Sequence, residues 1–150
     1  MNGQIIRLTI DSDMEKVYFA VIAIEALCNY LSLSEDTVFG LKLSTAEAMN
    51  NCVLHSYGNE TGHEVEVSFA MDADSIQLKV CDTGRPMNPD ILHNFSPEKF
   101  SDDEECIGEA EISGRGLSII KKLMDTVNYE TGGGKNCLVM TIRKNRQERE

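Results

Sequence analysis

Two neighbouring segments of alternating hydrophobicity constrain the fold of this chain more than any other feature. Apolar side chains occupy every second position from Val65 to Met71 and again from Ile76 to Val80, with Asp72-Ala73-Asp74 between the two runs. Because strand side chains point alternately to opposite faces, this pattern predicts a β-hairpin with one buried and one solvated face. Such a sheet needs helices to cover its apolar face.

The segments around the hairpin supply those helices and the remaining strands. Hydrophobic spacing, capping residues and glycine turns define their bounds. We predict a first strand over 4–10 and two closing strands over 127–130 and 138–143. The first predicted helix runs from the caps at 11–13 to about 31. The second runs from Ser34 to a stop at Gly58, and the third from Ser113 to Met124. This order predicts an α+β fold, a two-layer α/β sandwich with helices on one face of a mostly antiparallel mixed sheet.

Composition favours one domain whose partners are proteins and small molecules. The 150 residues can bury one sizeable core, so we expect a single domain over 1–150. The formal charge of −11 opposes binding to nucleic acids or to anionic membranes. No signal peptide or membrane-spanning stretch is visible, which predicts a cytoplasmic protein. The five cysteines are scattered without a Cys-x-x-Cys motif, so we expect reduced thiols and no metal bound to them.

An irregular stretch interrupts the pattern after the hairpin. Residues 83–113 contain all three prolines, an acidic run at 101–105 and two glycines. A long loop in a small domain is often a lid over a binding site, and we place the lid at about 86–113.

Three polar residues share one face of the second predicted helix. Glu47, Asn51 and His55 recur every four residues, so their side chains lie about one turn apart. A solvated helix face is the simplest explanation of such a stripe. However, small and apolar neighbours enclose much of this helix, and enclosed polar groups need ligands, ions or partners.

Asp82 ends the second strand of the hairpin on its apolar face. Asp82 is an even number of residues from Ile76 and Val80, so its carboxylate points to the same inward face of the strand. A carboxylate there needs a hydrogen-bond donor, which an adenine amino group would provide. Gly84 would let the backbone approach a flat base, and Pro86 closes the motif Asp82-Thr83-Gly84-Arg85-Pro86. Taken alone, the motif is equally compatible with an ordinary turn.

A third motif, Gly114-Arg115-Gly116-Leu117, follows the lid. At a helix N-terminus its backbone N–H groups would favour phosphate, and Arg115 adds a cation. The sequence fits neither the dinucleotide-binding glycine motif nor the P-loop.

The three motifs, in this order, resemble those of the GHKL (histidine kinase-like, Bergerat fold) ATPase superfamily. The segment from Glu47 to Tyr57 is similar to the N-box of the anti-sigma factor serine/threonine-protein kinases, Glu-Ala-x-x-Asn-Ala-x-x-His-x-Tyr. Asp82 to Pro86 corresponds to the G1 box and Gly114 to Leu117 to the G2 box. The resemblance covers nearly the whole chain.

The resemblance implies a role for each of these residues. Glu47 would be the general base and Asn51 would bind Mg²⁺. His55 would support the site or lie near the phosphates, without taking part in catalysis. Asp82 would read the adenine amino group, with Gly84 beneath the base and Pro86 beside it. Gly114, Arg115, Gly116 and Leu117 would surround the phosphates of ATP. One departure stands out, since the threonine that usually begins the last strand is replaced in the stretch from Asn136 to Met140.

The implied function is an ATP-dependent serine/threonine protein kinase acting as an anti-sigma factor. It would phosphorylate a small anti-anti-sigma antagonist protein and sequester a sigma factor. A nucleotide-binding module without phosphate transfer is the alternative, and a histidine-kinase fragment ranks last because no phosphoacceptor helices precede the domain. The apolar stripe Val17, Val21, Ile24 and Leu31 is expected in the core and, by analogy with the family, as a homodimer contact.

Overall fold

The computed structural model describes residues 3–88, 90–91 and 109–144. Most of the predicted lid, with the acidic run, His93 and Cys106, lies outside these residues. The strands are β1 Ile5–Asp11, β2 Glu64–Met71, β3 Ser75–Asp82, β4 Thr126–Gly132 and β5 Lys135–Arg143. The helices are α1 Met14–Tyr30, α2 Glu35–Asn51 and α3 Glu109–Leu123, and a π-helical segment, Cys52–Ser56, continues α2.

The five strands form one sheet in the order β1-β2-β3-β5-β4. The hairpin is formed by β2 and β3, and its register pairs Phe69 with Leu78 and Val67 with Val80. The predicted α+β fold is confirmed. All four strand pairs are antiparallel, so the mixed pairing that we expected does not occur among the described strands.

The core lies between the sheet and the helices. Helix α2 packs between α1 and α3, and it also contacts β2, β3 and β5. The apolar row Ile76, Leu78 and Val80 of β3 is fully buried. Val17 and Ile24 of α1 are buried in the same core, which confirms the core assignment of these two and rules them out as a dimer contact.

Helix α2 begins as predicted but does not end as predicted. The Ser34 side chain accepts a hydrogen bond from the backbone N–H of Thr37 and caps the helix. Regular α-helical bonding ends at Asn51, and in the next turn the N–H of Tyr57 bonds to the carbonyl of Cys52, five residues earlier. A π-helical turn is wider than an α-helical turn, so His55 does not continue the α-helical face of Glu47 and Asn51.

Helix α3 starts earlier than its sequence pattern predicted. It begins at Glu109, whereas we had placed its start at Ser113. Gly114, Arg115 and Gly116 therefore lie inside the helix, where backbone N–H groups are used by helical hydrogen bonds. The predicted helix start is therefore wrong, and these residues do not lie at the N-terminus of α3.

The expectation that all cysteines are reduced is also wrong. Cys81 and Cys137 face each other in the β3–β5 register and form a disulfide. Cys28 and Cys52 are free and buried. Two cysteines 56 residues apart are brought together only by strand pairing, which spacing along the sequence does not reveal.

No helix in the described ranges is both long and apolar enough to cross a lipid bilayer.

Candidate functional site

A cavity of about 340 Å³ opens between the π-helical segment, the end of β3 and the start of β5. Its volume is within the range of small-molecule sites. Predicted site residues that line it are Asn51, His55, Asp82, Pro86 and Leu117. The sheet and α2 thus bring together residues from all three sequence motifs.

Asp82 is the buried charge of this cavity. Only 6% of the residue is exposed, which confirms the inward direction predicted from strand parity. Its Oδ1 accepts hydrogen bonds from the Gly84 N–H and the Asn136 Nδ2, both at 3.0 Å. Its Oδ2 accepts one from the Ser56 hydroxyl at 2.9 Å. Three donors therefore hold the Asp82 side chain in a fixed orientation at the cavity wall.

Gly84 is held against the end of the N-box segment. A Cβ at this position would lie 2.3 Å from the carbonyl oxygen of Ser56 and 2.9 Å from the Tyr57 ring. The N–H of Arg85 donates to the same carbonyl oxygen. The contact between these two protein segments therefore requires glycine at position 84.

Tyr57 connects the same two segments. Its hydroxyl donates to the carbonyl of Glu64 and accepts from the N–H of Thr83. The ring is buried and stacks on His63 with centroids 4.6 Å apart. The turn after β3 is thus fixed to the end of the helical layer.

Glu47 and Asn51 converge on Gly116. A Cβ on Gly116 would lie 2.9 Å from Glu47 Oε2 and 3.5 Å from both side-chain amide atoms of Asn51. Glu47 is half-buried, and burial raises the pKa of its carboxyl above the usual glutamate value. The third motif therefore meets the first through a glycine, which leaves room for a carboxylate and an amide side by side.

The other residues of the third motif are placed differently. Leu117 is buried and lines the cavity, whereas Arg115 is half-buried on α3. Gly114 lies within α3. His55, on the π-helical segment, lines the cavity and is half-buried.

The sequence analysis missed several lining residues, among them Ser56 and Tyr129. Ser56 directly follows His55, and regular helical spacing would turn it away, so only the π-helical turn reveals it. The Tyr129 hydroxyl accepts a hydrogen bond from the N–H of Met87 at 2.8 Å. Strand alternation in β4 could have found Tyr129, since Val127 shares its parity.

The chain is similar to known histidine kinase-like ATPase domains and serine-protein kinases. The profile of the histidine kinase-like ATPase domain matches residues 10–142. The serine-protein kinase RsbW of Oceanobacillus iheyensis is 26% identical over 139 residues, covering 89% of this chain and 83% of the relative. The anti-sigma F factor of the same organism is 30% identical over 137 residues, covering 91% of this chain and 90% of the relative.

A solved structure shares the fold. The RsbU and RsbW domains of Rv1364c from Mycobacterium tuberculosis match with a TM-score of 0.67 at 14% sequence identity. The match covers 97% of this chain and 34% of that one, so the present chain spans about a third of that structure. At this identity the likeness concerns the fold alone. The family profile and the 30% identical anti-sigma factor lead to one conclusion. The chain belongs to the histidine kinase-like ATPase domain family, among the anti-sigma serine-protein kinases.

Proposed function

We propose that this protein is an ATP-dependent serine/threonine kinase and anti-sigma factor. It transfers the γ-phosphoryl group of ATP to a serine of a small antagonist protein and sequesters a sigma factor when the antagonist does not bind it. The observation that carries this proposal is the convergence of Glu47 and Asn51 on Gly116, beside a cavity that Asn51 and Asp82 both line. Similarity to kinases named for these activities supports it.

The base of ATP binds against Asp82 in this proposal. The carboxylate accepts a hydrogen bond from the 6-amino group, while Leu117, Leu138 and Pro86 provide apolar or flat surface for the ring. The phosphates extend towards Asn51 and His55 and the segment Gly114 to Leu117, where Arg115 contributes positive charge. The glycines of that segment act by their small size, because α3 uses their N–H groups.

Asn51 is the proposed ligand for Mg²⁺. This ion usually keeps several waters and takes few protein oxygens in addition to phosphate oxygens. The described residues contain no cluster of three or more His, Cys, Asp or Glu side chains suited to a metal. In the proposed site, Asn51 supplies one amide oxygen and the phosphates supply further oxygens, which fits the ligands that Mg²⁺ takes. When bound, the ion would offset the charge of the phosphates.

Glu47 is the proposed general base. The serine oxygen of the antagonist attacks the γ-phosphorus, Glu47 takes the hydroxyl proton, the bond to the β-γ bridging oxygen breaks, and ADP leaves. A base with a raised pKa binds this proton more readily than an ordinary glutamate. Because only the ionised form accepts the proton, the transfer rate should fall as the pH decreases through that raised pKa.

The kinase assay uses γ-labelled ATP, Mg²⁺ and extract of the source cells, with Glu47→Gln as the test variant. We expect label on a small protein with the wild type and a loss of about 100-fold or more with Glu47→Gln, since general-base catalysis contributes this much. Glu35→Gln removes the same charge from the exposed first turn of α2 and should transfer at the wild-type rate.

Two results would contradict the proposal. Equal transfer by wild type and Glu47→Gln would remove Glu47 as the base. ATP binding by the wild type without any labelled protein would favour the alternative, a nucleotide-binding module that does not transfer phosphate.

We also propose a homodimer, formed by a face that the sequence analysis did not identify. This β1–α1 face consists of Ile6 on the edge strand and Ile22, Ala26 and Tyr30 on α1. Ile22 is 62% exposed and Tyr30 is 86% exposed. Together with an unpaired edge strand, this apolar surface is suited to a symmetric contact with a second copy.

A further inference from the structure

Asn136 stands directly opposite Asp82 in the β3–β5 register. It is 5% exposed and lines the cavity. This is the stretch in which the sequence departs from the threonine of the resembled family. The function proposed above gives Asn136 no role, although it is a buried polar side chain beside the charge that is proposed to read the base.

The contacts of Asn136 fix the orientation of its amide group. Nδ2 donates to Asp82 Oδ1 at 3.0 Å and to the carbonyl oxygen of Gly84 at 3.0 Å. Both partners can only accept hydrogen bonds, so the NH₂ end must face them. A threonine hydroxyl has a single proton and could serve only one of the two partners.

These contacts also decide which oxygen of Asp82 remains available. A carboxylate oxygen accepts about two hydrogen bonds. Oδ1 already has two donors, the Gly84 N–H and Asn136 Nδ2. Oδ2 has the Ser56 hydroxyl. The Cys52 thiol is hydrogen-bonded to the same carboxylate, but a thiol is a weak donor that an amino group can replace.

We propose that Asn136 is a positioning residue for purine recognition, and that it makes the site selective for nucleotides with a 6-amino group. By saturating Asp82 Oδ1 and joining it to the Gly84 carbonyl, Asn136 holds Oδ2 towards the cavity as the acceptor. A 6-oxo purine would place a second acceptor against this oxygen. The inference rests on the proposed nucleotide site and assigns a specificity residue within it.

The test is a binding cycle with two proteins and two ligands. Wild type and Asn136→Ala are titrated with ATP and with purine riboside triphosphate, which lacks only the 6-amino group. Loss of a hydrogen bond to a charged group should weaken ATP binding about tenfold. Affinity for the ligand without the amino group should hardly change, because that ligand does not use the positioned oxygen.

A purely structural role for Asn136 would weaken both ligands equally, and this result would overturn the inference while leaving the proposed function intact. If the wild type bound neither ligand, the proposed function and the inference would both fall. Asn136→Thr provides the measurement if Asn136→Ala does not fold. Its ratio of ATP affinity to purine riboside triphosphate affinity should lie below that of the wild type, and an unchanged ratio would contradict the inference.

Discussion

At the scale of single residues, Gly84 and Gly116 show that two glycines can be required for different reasons. The space beside Gly84 is filled by the backbone carbonyl of Ser56, which cannot move without the π-helical segment. The space beside Gly116 is filled by the end of the Glu47 side chain, which can rotate. The first glycine therefore maintains the fold, and the second keeps the proposed catalytic groups in place.

Alanine substitutions at the two glycines should therefore have opposite signatures. Gly84→Ala forces a Cβ against fixed backbone and should lower the free energy of unfolding by about 1 to 3 kcal/mol. Gly116→Ala lies inside α3, where alanine is favoured over glycine by up to about 1 kcal/mol, but it displaces Glu47. We expect Gly116→Ala to unfold at the same urea concentration as the wild type or higher, with a much lower rate of phosphate transfer.

Urea titrations and kinase assays on both variants check this contrast. A stable and fully active Gly116→Ala protein would show that Glu47 does not depend on the space beside this glycine.

At the scale of elements, the β3–β5 pair carries both the disulfide and the two residues proposed to recognise the purine. Cys81 and Cys137 form one register pair, and Asp82 and Asn136 form the next. Strand alternation turns the disulfide to the face opposite the cavity. The covalent bond thus fixes the register of the two strands at the point where Asp82 and Asn136 meet.

Reduction of this disulfide should destabilise the protein. The bond closes a loop with a sequence separation of 56 residues, and a loop of that length can contribute about 4 kcal/mol by restricting the unfolded chain. We expect a phosphine reductant to lower the melting temperature of the wild type, and mass spectrometry to show a gain of two hydrogens.

The control is Cys81→Ala with Cys137→Ala, which should melt at one temperature with or without reductant. A wild-type melting temperature that does not respond to reduction would contradict this account of β3–β5 stability.

At the scale of the whole molecule, the proposed catalytic site and the apolar β1–α1 face lie on different sides of the domain. The cavity lies at the α2–α3 side of the sheet, where β3 and β4 end and β5 begins. The β1–α1 face lies at the opposite edge, since β1 is the outermost strand. A dimer formed through that face would leave both cavities accessible to ATP and to an antagonist protein. Dimerisation and catalysis should therefore be separable by mutation.

Sedimentation analysis can test the dimer. The wild type should sediment with twice its chain mass of 16.7 kDa. Ile22→Lys should give the monomer mass, because a charge at the centre of an apolar contact is costly to bury. Phe39→Lys is the matched control, since Phe39 is a 59% exposed apolar residue on α2, outside the β1–α1 face. A monomeric wild type, or a dimer unaffected by Ile22→Lys, would contradict the proposed interface.

Features set by near neighbours in the chain could be predicted from the sequence. Alternating hydrophobicity predicted the β2–β3 hairpin and the inward direction of Asp82. The capping residue Ser34 predicted the start of α2. The order of the three motifs indicated the family. These features depend on side-chain periodicity and local hydrogen bonding, which a short segment already contains.

The remaining features were decided by tertiary structure. Ser56, on the π-helical segment, and Asn136 bond to Asp82 across 26 and 54 residues of sequence. The Cys81–Cys137 bond likewise depends on strand register. Contacts of this kind form only when packing of the whole domain offsets the entropy of closing long loops, so no local pattern encodes them.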